Sequence, residues 1–167
     1  MNIDKAEVLR YLGYRNKAAD ENTSILIDEC ISEVKAKSEF RSTYRRFNLE
    51  VTEDETINID RLSFRSHNLS RNLKDCSEVI LFAATLGMEI DRSLAKYLKL
   101  DIAKAVVFQS TAAAAIEAYC DEQNERIIKQ MAEEGLYVRP RYSPGYGDVS
   151  IDIQKDFLNL IASKSTV

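Results

Sequence analysis

The segment Tyr44-Arg-Arg-Phe-Asn-Leu-Glu-Val51 decides the fold class, because the spacing of apolar residues changes here from helical to alternating. The apolar positions are Phe47, Leu49 and Val51. Their alternation with polar and charged residues is typical of a half-buried strand. The acidic run Glu53-Asp54-Glu55 predicts a turn, and residues 57–59 begin a second alternating stretch. The two stretches are compatible with a β-hairpin.

Further along the chain, Val79-Ile-Leu-Phe-Ala-Ala84 is a continuous apolar run of strand length. Such a run is typical of a strand that is buried on both faces. A short helix is predicted before it, over residues 66–75. The sequence therefore places a small sheet between residues 44 and 85.

Helical spacing of apolar residues surrounds this sheet on both sides. The predicted helices cover residues 4–12, 21–39, 88–98, 101–134 and 150–162. Asn22-Thr23-Ser24 supplies N-cap candidates for the second helix, Ser150 caps the last, and Gly135 ends the longest. Leu98 is expected to face inward. The predicted fold class is α+β, with helices packed around a small, mainly antiparallel sheet.

Length and composition favour one soluble globular domain over residues 1–167, with a helical part at 1–39 and a core at 40–162. The chain is 45% apolar and 30% charged. A net charge of −4 argues against nucleic-acid binding, and the basic cluster at Arg41, Arg45 and Arg46 is interpreted as a solvated face. No apolar run is long enough to span a membrane, and no signal peptide is recognisable, so a cytoplasmic location is expected.

The sequence offers little for metal binding or acid–base catalysis. His67 is the only histidine, and the three cysteines form no CxxC pair. They are Cys30, Cys76 and Cys120. No metal-ligand spacing or nucleophile–base arrangement results, so no catalytic residue is assigned.

The segment Arg139-Pro-Arg-Tyr-Ser-Pro-Gly-Tyr-Gly-Asp148 contains both prolines and two of the five glycines of the chain. Proline fixes the backbone, and glycine allows a ligand to approach it closely. Such a loop can present peptide groups and a guanidinium to a small anionic or zwitterionic ligand. The alternative is an ordinary surface turn between two helices. In that alternative, Asp148 caps the last helix.

A ligand with a carboxylate, an ammonium group and a flat ring would suit these residues. Arg141 can hold a carboxylate in two parallel hydrogen bonds, with Arg139 on the same side if the segment is extended. Glu117, flanked by small residues on the long helix, can accept the ammonium, and Tyr146 with the alanine face of residues 112–118 can border the ring. S-adenosylmethionine fits this description, as do other zwitterions.

Three segments resemble the activation (reactivation) domain of cobalamin-dependent methionine synthase. Arg141-Tyr-Ser-Pro-Gly-Tyr146 is similar to the Arg-Pro-x-x-Gly-Tyr loop of that family. Leu73-Lys-Asp-Cys-Ser-Glu-Val-Ile-Leu-Phe-Ala-Ala-Thr-Leu-Gly87 resembles its strand and Thr-Leu-Gly turn, and Ile116-Glu-Ala-Tyr119 resembles the helix that contributes a glutamate. The resemblance covers residues 40–162.

The resemblance implies that the chain binds S-adenosylmethionine and supports the remethylation of inactive cob(II)alamin, with an electron from a flavodoxin-like or ferredoxin-like protein. Arg141 would bind the methionine carboxylate and Glu117 the amino group. Ser143, Gly145 and Tyr146 would line the site. No side-chain base is needed, because the nucleophile is reduced cobalt and the leaving group is a neutral thioether.

The chain departs from the family in two ways. It lacks part of the N-terminal region, including an acidic residue that helps to bind the ligand, and it has no Asp-x-His-x-x-Gly cobalamin motif. The expectation is a free-standing activation subunit whose partner methionine synthase or related corrinoid protein carries the cobalamin. Two alternatives remain: a non-catalytic docking module for such a partner, and an unrelated α+β protein that binds another small anion.

Overall fold

A computed structural model describes residues 2–14 and 19–163. In these ranges the chain forms six α-helices and four strands, so the predicted α+β class is confirmed. The elements in chain order are α1 (Lys5–Tyr11), α2 (Glu21–Lys37), β1 (Arg41–Val51), β2 (Thr56–Ile59), β3 (Leu62–Arg65), α3 (His67–Asn72), β4 (Glu78–Thr85), α4 (Met88–Leu100), α5 (Ile102–Glu133) and α6 (Gln154–Ala162). A 3₁₀ turn, Ile151–Ile153, precedes α6.

The four strands form one sheet in the order β3-β2-β1-β4. The predicted hairpin is β1–β2, in which Leu49 lies opposite Ile59 in an antiparallel register. A second hairpin, β2–β3, follows directly and was not predicted. β4 pairs with the other side of β1. Leu81 is the one buried side chain of β4, and most of the others are partly buried. The expectation of a strand buried on both faces is therefore wrong, because most side chains of β4 are only partly buried.

The chain divides into two compact units, residues 1–42 with 84–129 and residues 43–83 with 130–167. Each unit has its own apolar core. The single domain expected from chain length stays a prediction.

The first unit is built from α1, α2, α4 and most of α5. Its core is centred on Phe108, which is fully buried and packs edge-on against Tyr97 with ring centroids 5.4 Å apart. Ala114 and Ala115 are buried in the same core, so the small residues of α5 serve close packing. Leu98 is 54% exposed, contrary to expectation.

The N-cap of α2 also differs from the prediction. The carboxylate of Asp20 accepts a hydrogen bond from the amide of Thr23 at 3.0 Å, which makes Asp20 the cap. Asn22-Thr23-Ser24 then forms part of the first turn. Asp20 was overlooked because several residues in succession can cap a helix, and the sequence alone does not choose between them.

The second unit packs the sheet against α3 and α6. Its core contains Ile57 and Ile59 from β2, Leu69 from α3 and Leu160 from α6. The guanidinium of Arg45 donates to the carbonyls of Leu160 and Ser163 at the end of α6, where a cation offsets the negative end of the helix dipole. The other members of this core are Leu49, Leu73, Leu81, Val149 and Ile161.

Candidate functional site

The predicted ligand loop belongs to the second unit and begins after a well-defined helix end. At the end of α5, the amide of Gly135 donates to the carbonyl of Ala132, and that of Leu136 to the carbonyl of Met131. Gly135 has a φ of 75°, so it ends the helix as predicted. From there to Tyr142 the backbone is irregular and mostly exposed.

The loop closes on itself between Tyr142 and Val149. The amide of Gly145 donates to the carbonyl of Val149 at 2.9 Å, and the amide of Val149 donates to the carbonyl of Tyr146 at 3.1 Å. The hydroxyl of Tyr142 also donates to the carbonyl of Tyr146 at 3.1 Å. Val149 is buried in the core of the second unit, and the ring of Tyr142 packs against that core. The loop is therefore a compact turn that is anchored at both ends.

Gly147 brings the loop backbone into direct contact with its surroundings. Its φ is 56°, and an added Cβ would lie 2.2 Å from the hydroxyl of Tyr142 and 2.6 Å from Nδ2 of Asn68. The positive φ favours glycine here, and any larger residue would require the ends of the Tyr142 and Asn68 side chains to shift.

Asp148 binds the first turn of α3. Its carboxylate accepts from the hydroxyl of Ser66 at 2.5 Å and from the amides of His67 at 2.6 Å and Asn68 at 3.2 Å. The hydroxyl of Ser66 accepts in turn from the amide of Leu69 at 3.0 Å. Hydrogen bonds from Ser66 first, then from the two amides, lower the pKa of Asp148.

This contact corrects one interpretation of the loop. Asp148 binds the first amides of α3, whose N-cap is Ser66, and does not cap the last helical segment. There the hydroxyl of Ser150 accepts from the amide of Asp152 at 3.2 Å, as predicted for Ser150. The pairing of Asp148 with Ser66 spans 82 residues, so no local pattern reveals it.

The four predicted site residues of the loop are exposed. They are Arg141, Ser143, Gly145 and Tyr146, and the ring of Tyr146 is 68% exposed. Arg139 lies beside them, but its guanidinium donates to the carbonyl of Lys74 at 3.2 Å. The structure thus places Ser143, Gly145 and Tyr146 on the compact turn and Arg141 directly before it.

Glu117, the fifth predicted residue, lies on α5 in the first unit and is exposed. Ala114, one turn before it, is buried, and Cys120, one turn after it, is partly buried. Because Glu117 and Arg141 belong to different units, their joint role stays a prediction.

A second group of charged residues, missed in the sequence, surrounds Glu33 in the first unit. Oε1 of Glu33 accepts from Nζ of Lys37 and from the hydroxyl of Tyr97, each at 2.6 Å, and Oε2 lies 3.3 Å from Nζ of Lys104. Burial alone would raise the pKa of Glu33, but the hydrogen bonds from these three donors lower it overall. The side chain is 18% exposed, and its contacts join α2, α4 and α5. We interpret this group as structural.

Two further titratable side chains lie elsewhere in the described residues. His67 contacts Oε1 of Glu55 at 2.5 Å through Nδ1. Cys30 is a free, buried thiol whose pKa is raised by burial to about 11. Among residues 2–14 and 19–163, no cluster of His, Cys, Asp or Glu is suited to a metal ion. None of the helices in these ranges combines the length and hydrophobicity needed to cross a bilayer.

Neither a protein-family profile nor a curated protein sequence matches this chain. The resemblance to the methionine synthase activation domain therefore rests on the residues quoted above.

Proposed function

We propose that this chain is an S-adenosylmethionine-binding activation subunit that supports the reductive remethylation of cob(II)alamin on a partner methionine synthase or related corrinoid protein. The observation that carries the proposal is the compact turn over residues 142–149. It leaves Arg141 and the ring of Tyr146 exposed beside two glycines. The partner would carry the cobalamin, and a flavodoxin-like or ferredoxin-like protein would supply the electron.

Each proposed contact follows from the chemistry of the loop. The planar guanidinium of Arg141 suits the methionine carboxylate, because the two groups can form parallel hydrogen bonds. The Tyr146 ring offers a flat apolar surface, the hydroxyl of Ser143 can donate and accept hydrogen bonds, and Gly145 allows a ligand to approach the backbone closely. When bound to the partner, reduced cobalamin supplies the nucleophile, so the task of this chain is to hold and orient the methyl donor.

Calorimetric titration with S-adenosylmethionine tests the proposal. Arg141→Ala is expected to weaken binding by at least about tenfold, the loss of roughly one charge-assisted hydrogen bond. Arg139→Ala is the matched control, because it removes another exposed arginine of the same loop, whose guanidinium donates to the carbonyl of Lys74, and leaves the residue assigned to the carboxylate in place. Equal affinity of the two variants would contradict the assignment of Arg141.

A second titration, in the presence of a partner protein, distinguishes this function from the alternative of a docking module. The titration is repeated after adding a cobalamin-loaded corrinoid protein with a reductant, while the cobalamin absorbance is followed. Methylation that depends on this chain supports the proposal. Complex formation without heat from S-adenosylmethionine would instead favour the non-catalytic docking module, and a thermal-shift screen of nucleosides, amino acids and phosphates would reveal a different small anion.

A further inference from the structure

Asp148 lies at the junction of the loop and α3, and its carboxylate accepts hydrogen bonds from three groups around the start of that helix. Oδ1 accepts from Ser66, and Oδ2 accepts from the amide of His67. The amide of Asn68 lies 3.2 Å from Oδ1 and 3.4 Å from Oδ2. The carboxylate thus binds the first two amide groups of α3, which have no partners within their helix.

The backbone on both sides of Asp148 is fixed as well. Gly147, just before it, lies so close to the side-chain ends of Tyr142 and Asn68 that an added Cβ would displace them. Val149, just after it, is 4% exposed and exchanges hydrogen bonds with Gly145 and Tyr146. The conformation of the turn and the position of α3 are therefore set by the same three consecutive residues.

We infer that Asp148 is a positioning residue, which holds the turn over residues 142–149 in its ligand-binding conformation through α3 before any ligand arrives. The inference rests on the proposed function in taking S-adenosylmethionine as the ligand. Asp148 acts through Ser66, His67 and Asn68 and not by touching the ligand. The exposed groups of Arg141 and Tyr146 are thereby presented on a turn that is already folded.

Two measurements test this inference, and the first needs no ligand. Hydrogen exchange of the free protein should show slow exchange at the amides of Gly145 and Val149, and Asp148→Ala should make both exchange faster. Asp148→Asn keeps one acceptor oxygen and should restore much of the protection. Asp152→Asn, a neighbouring exposed carboxylate bonded to Ser150, should change neither amide.

The second measurement is the kinetics of S-adenosylmethionine binding. Asp148→Ala should weaken affinity by about tenfold, the factor expected when the competent conformation falls to roughly a tenth of the population. The loss should lie in the association rate constant, because few molecules are competent at any moment. In contrast, Arg141→Ala should mainly raise the dissociation rate constant, since it removes a contact.

The hydrogen-exchange and binding measurements together distinguish failure of the inference from failure of the proposed function. The inference would be overturned if the amides of Gly145 and Val149 exchanged in Asp148→Ala as slowly as in the wild type. It would also be overturned if Asp148→Ala left the association rate constant unchanged while Arg141→Ala weakened binding. Absence of binding by the wild-type protein would overturn the proposed function, and the exchange result would still decide the role of Asp148. If Asp148→Ala does not fold, Asp148→Asn, which keeps one acceptor oxygen, gives the same comparison with a smaller amplitude.

Discussion

Arg46 and Glu78 form a two-pronged ion pair in the second unit, with Nε 2.8 Å from Oε1 and Nη2 2.6 Å from Oε2. The remaining terminal nitrogen, Nη1, lies 2.5 Å from Oε2 of Glu134. Glu78 begins β4, and Glu134 follows the last residue of α5. One guanidinium on β1 therefore binds two carboxylates from different elements, so a residue expected on a solvated face has a structural role.

Replacing Arg46 tests this role. Arg46→Lys should lower the melting temperature, because a lysine ammonium cannot make the planar two-pronged contact. The effect should shrink in 1 M salt, since exposed charges are screened (Debye length about 3 Å). Melting followed by circular dichroism measures both effects. Arg61→Lys, in the exposed turn between β2 and β3, is the control, and identical melting of the two variants at low salt would contradict the prediction.

Gly147→Ala should destabilise the protein more than Gly135→Ala. Both glycines have positive φ, so both substitutions cost about 1–2 kcal/mol for the backbone alone. Only Gly147 has atoms in the way, and this crowding should add roughly 1–3 kcal/mol. Urea unfolding measures the difference. Tyr142→Phe removes the oxygen nearest to Gly147, so in this background the extra destabilisation by Gly147→Ala should fall. If it stays the same, the contact with the Tyr142 hydroxyl is not its cause.

Phe108→Ala should lower the free energy of unfolding by about 3–5 kcal/mol, the usual cost of removing a buried aromatic ring. Phe108 is fully buried in the core of the first unit. Leu98→Ala, on the exposed side of α4, should change it by less than about 0.5 kcal/mol. Chemical denaturation of the two variants checks both values. A large loss in Leu98→Ala would mean that this side chain is buried in solution.

Glu33 should contribute stability that depends on pH. Its pKa is lowered in the folded state, so its contribution is complete above the unfolded-state pKa of about 4.3 and is lost as the pH falls through the folded-state pKa. Glu33→Gln should therefore be less stable than the wild type at pH 7, and the difference should shrink at acid pH. Thermal melts between pH 7 and pH 3 measure it. Glu39→Gln is the control: the Glu39 side chain is 67% exposed, so this variant should be about as stable as the wild type. If the stability difference between Glu33→Gln and the wild type grows as the pH falls, the predicted direction is wrong.

The sequence predicted those elements that have a long, regular apolar pattern. The alternation around Leu49 predicted β1, and the helical spacing after Asp101 predicted α5 almost to its ends. β3 was missed although β2, which is equally short, was predicted, because the turn between them, Asp60-Arg61, contains no glycine or proline that marks it. Local patterns thus identify a short element only when the turns beside it are also recognisable.

Placement relative to the core was harder to predict. Leu98 has helical spacing with Ile90 and Leu94, yet it is exposed. The buried residues of α4, Ile90 and Ser93, lie in its first half, so the rest of the first unit covers only part of this helix. Leu158 in α6 is likewise 46% exposed, although it has helical spacing with the buried Ile161. A helix pattern gives the apolar face but not how much of it a neighbouring element covers.

The loop was recognised from composition, but its mode of attachment was not. Concentrated proline and glycine predicted a turn between Arg139 and Asp148, and the turn is there. The contacts that fix it, from Asp148 to Ser66 and from Gly147 to Asn68, join residues about eighty positions apart. Such pairings depend on how the whole second unit folds, which no local pattern encodes.

The turn between Tyr142 and Val149 has practical value for protein engineering. The backbone conformation of this turn depends on the residues that pack in the core of the second unit or contact α3, so substitutions at those positions are expected to disturb it. Ser143 and Tyr146 are exposed and lie between them. New chemistry, such as a fluorescent label or a different recognition group, can therefore be introduced at these two positions while the underlying scaffold is retained.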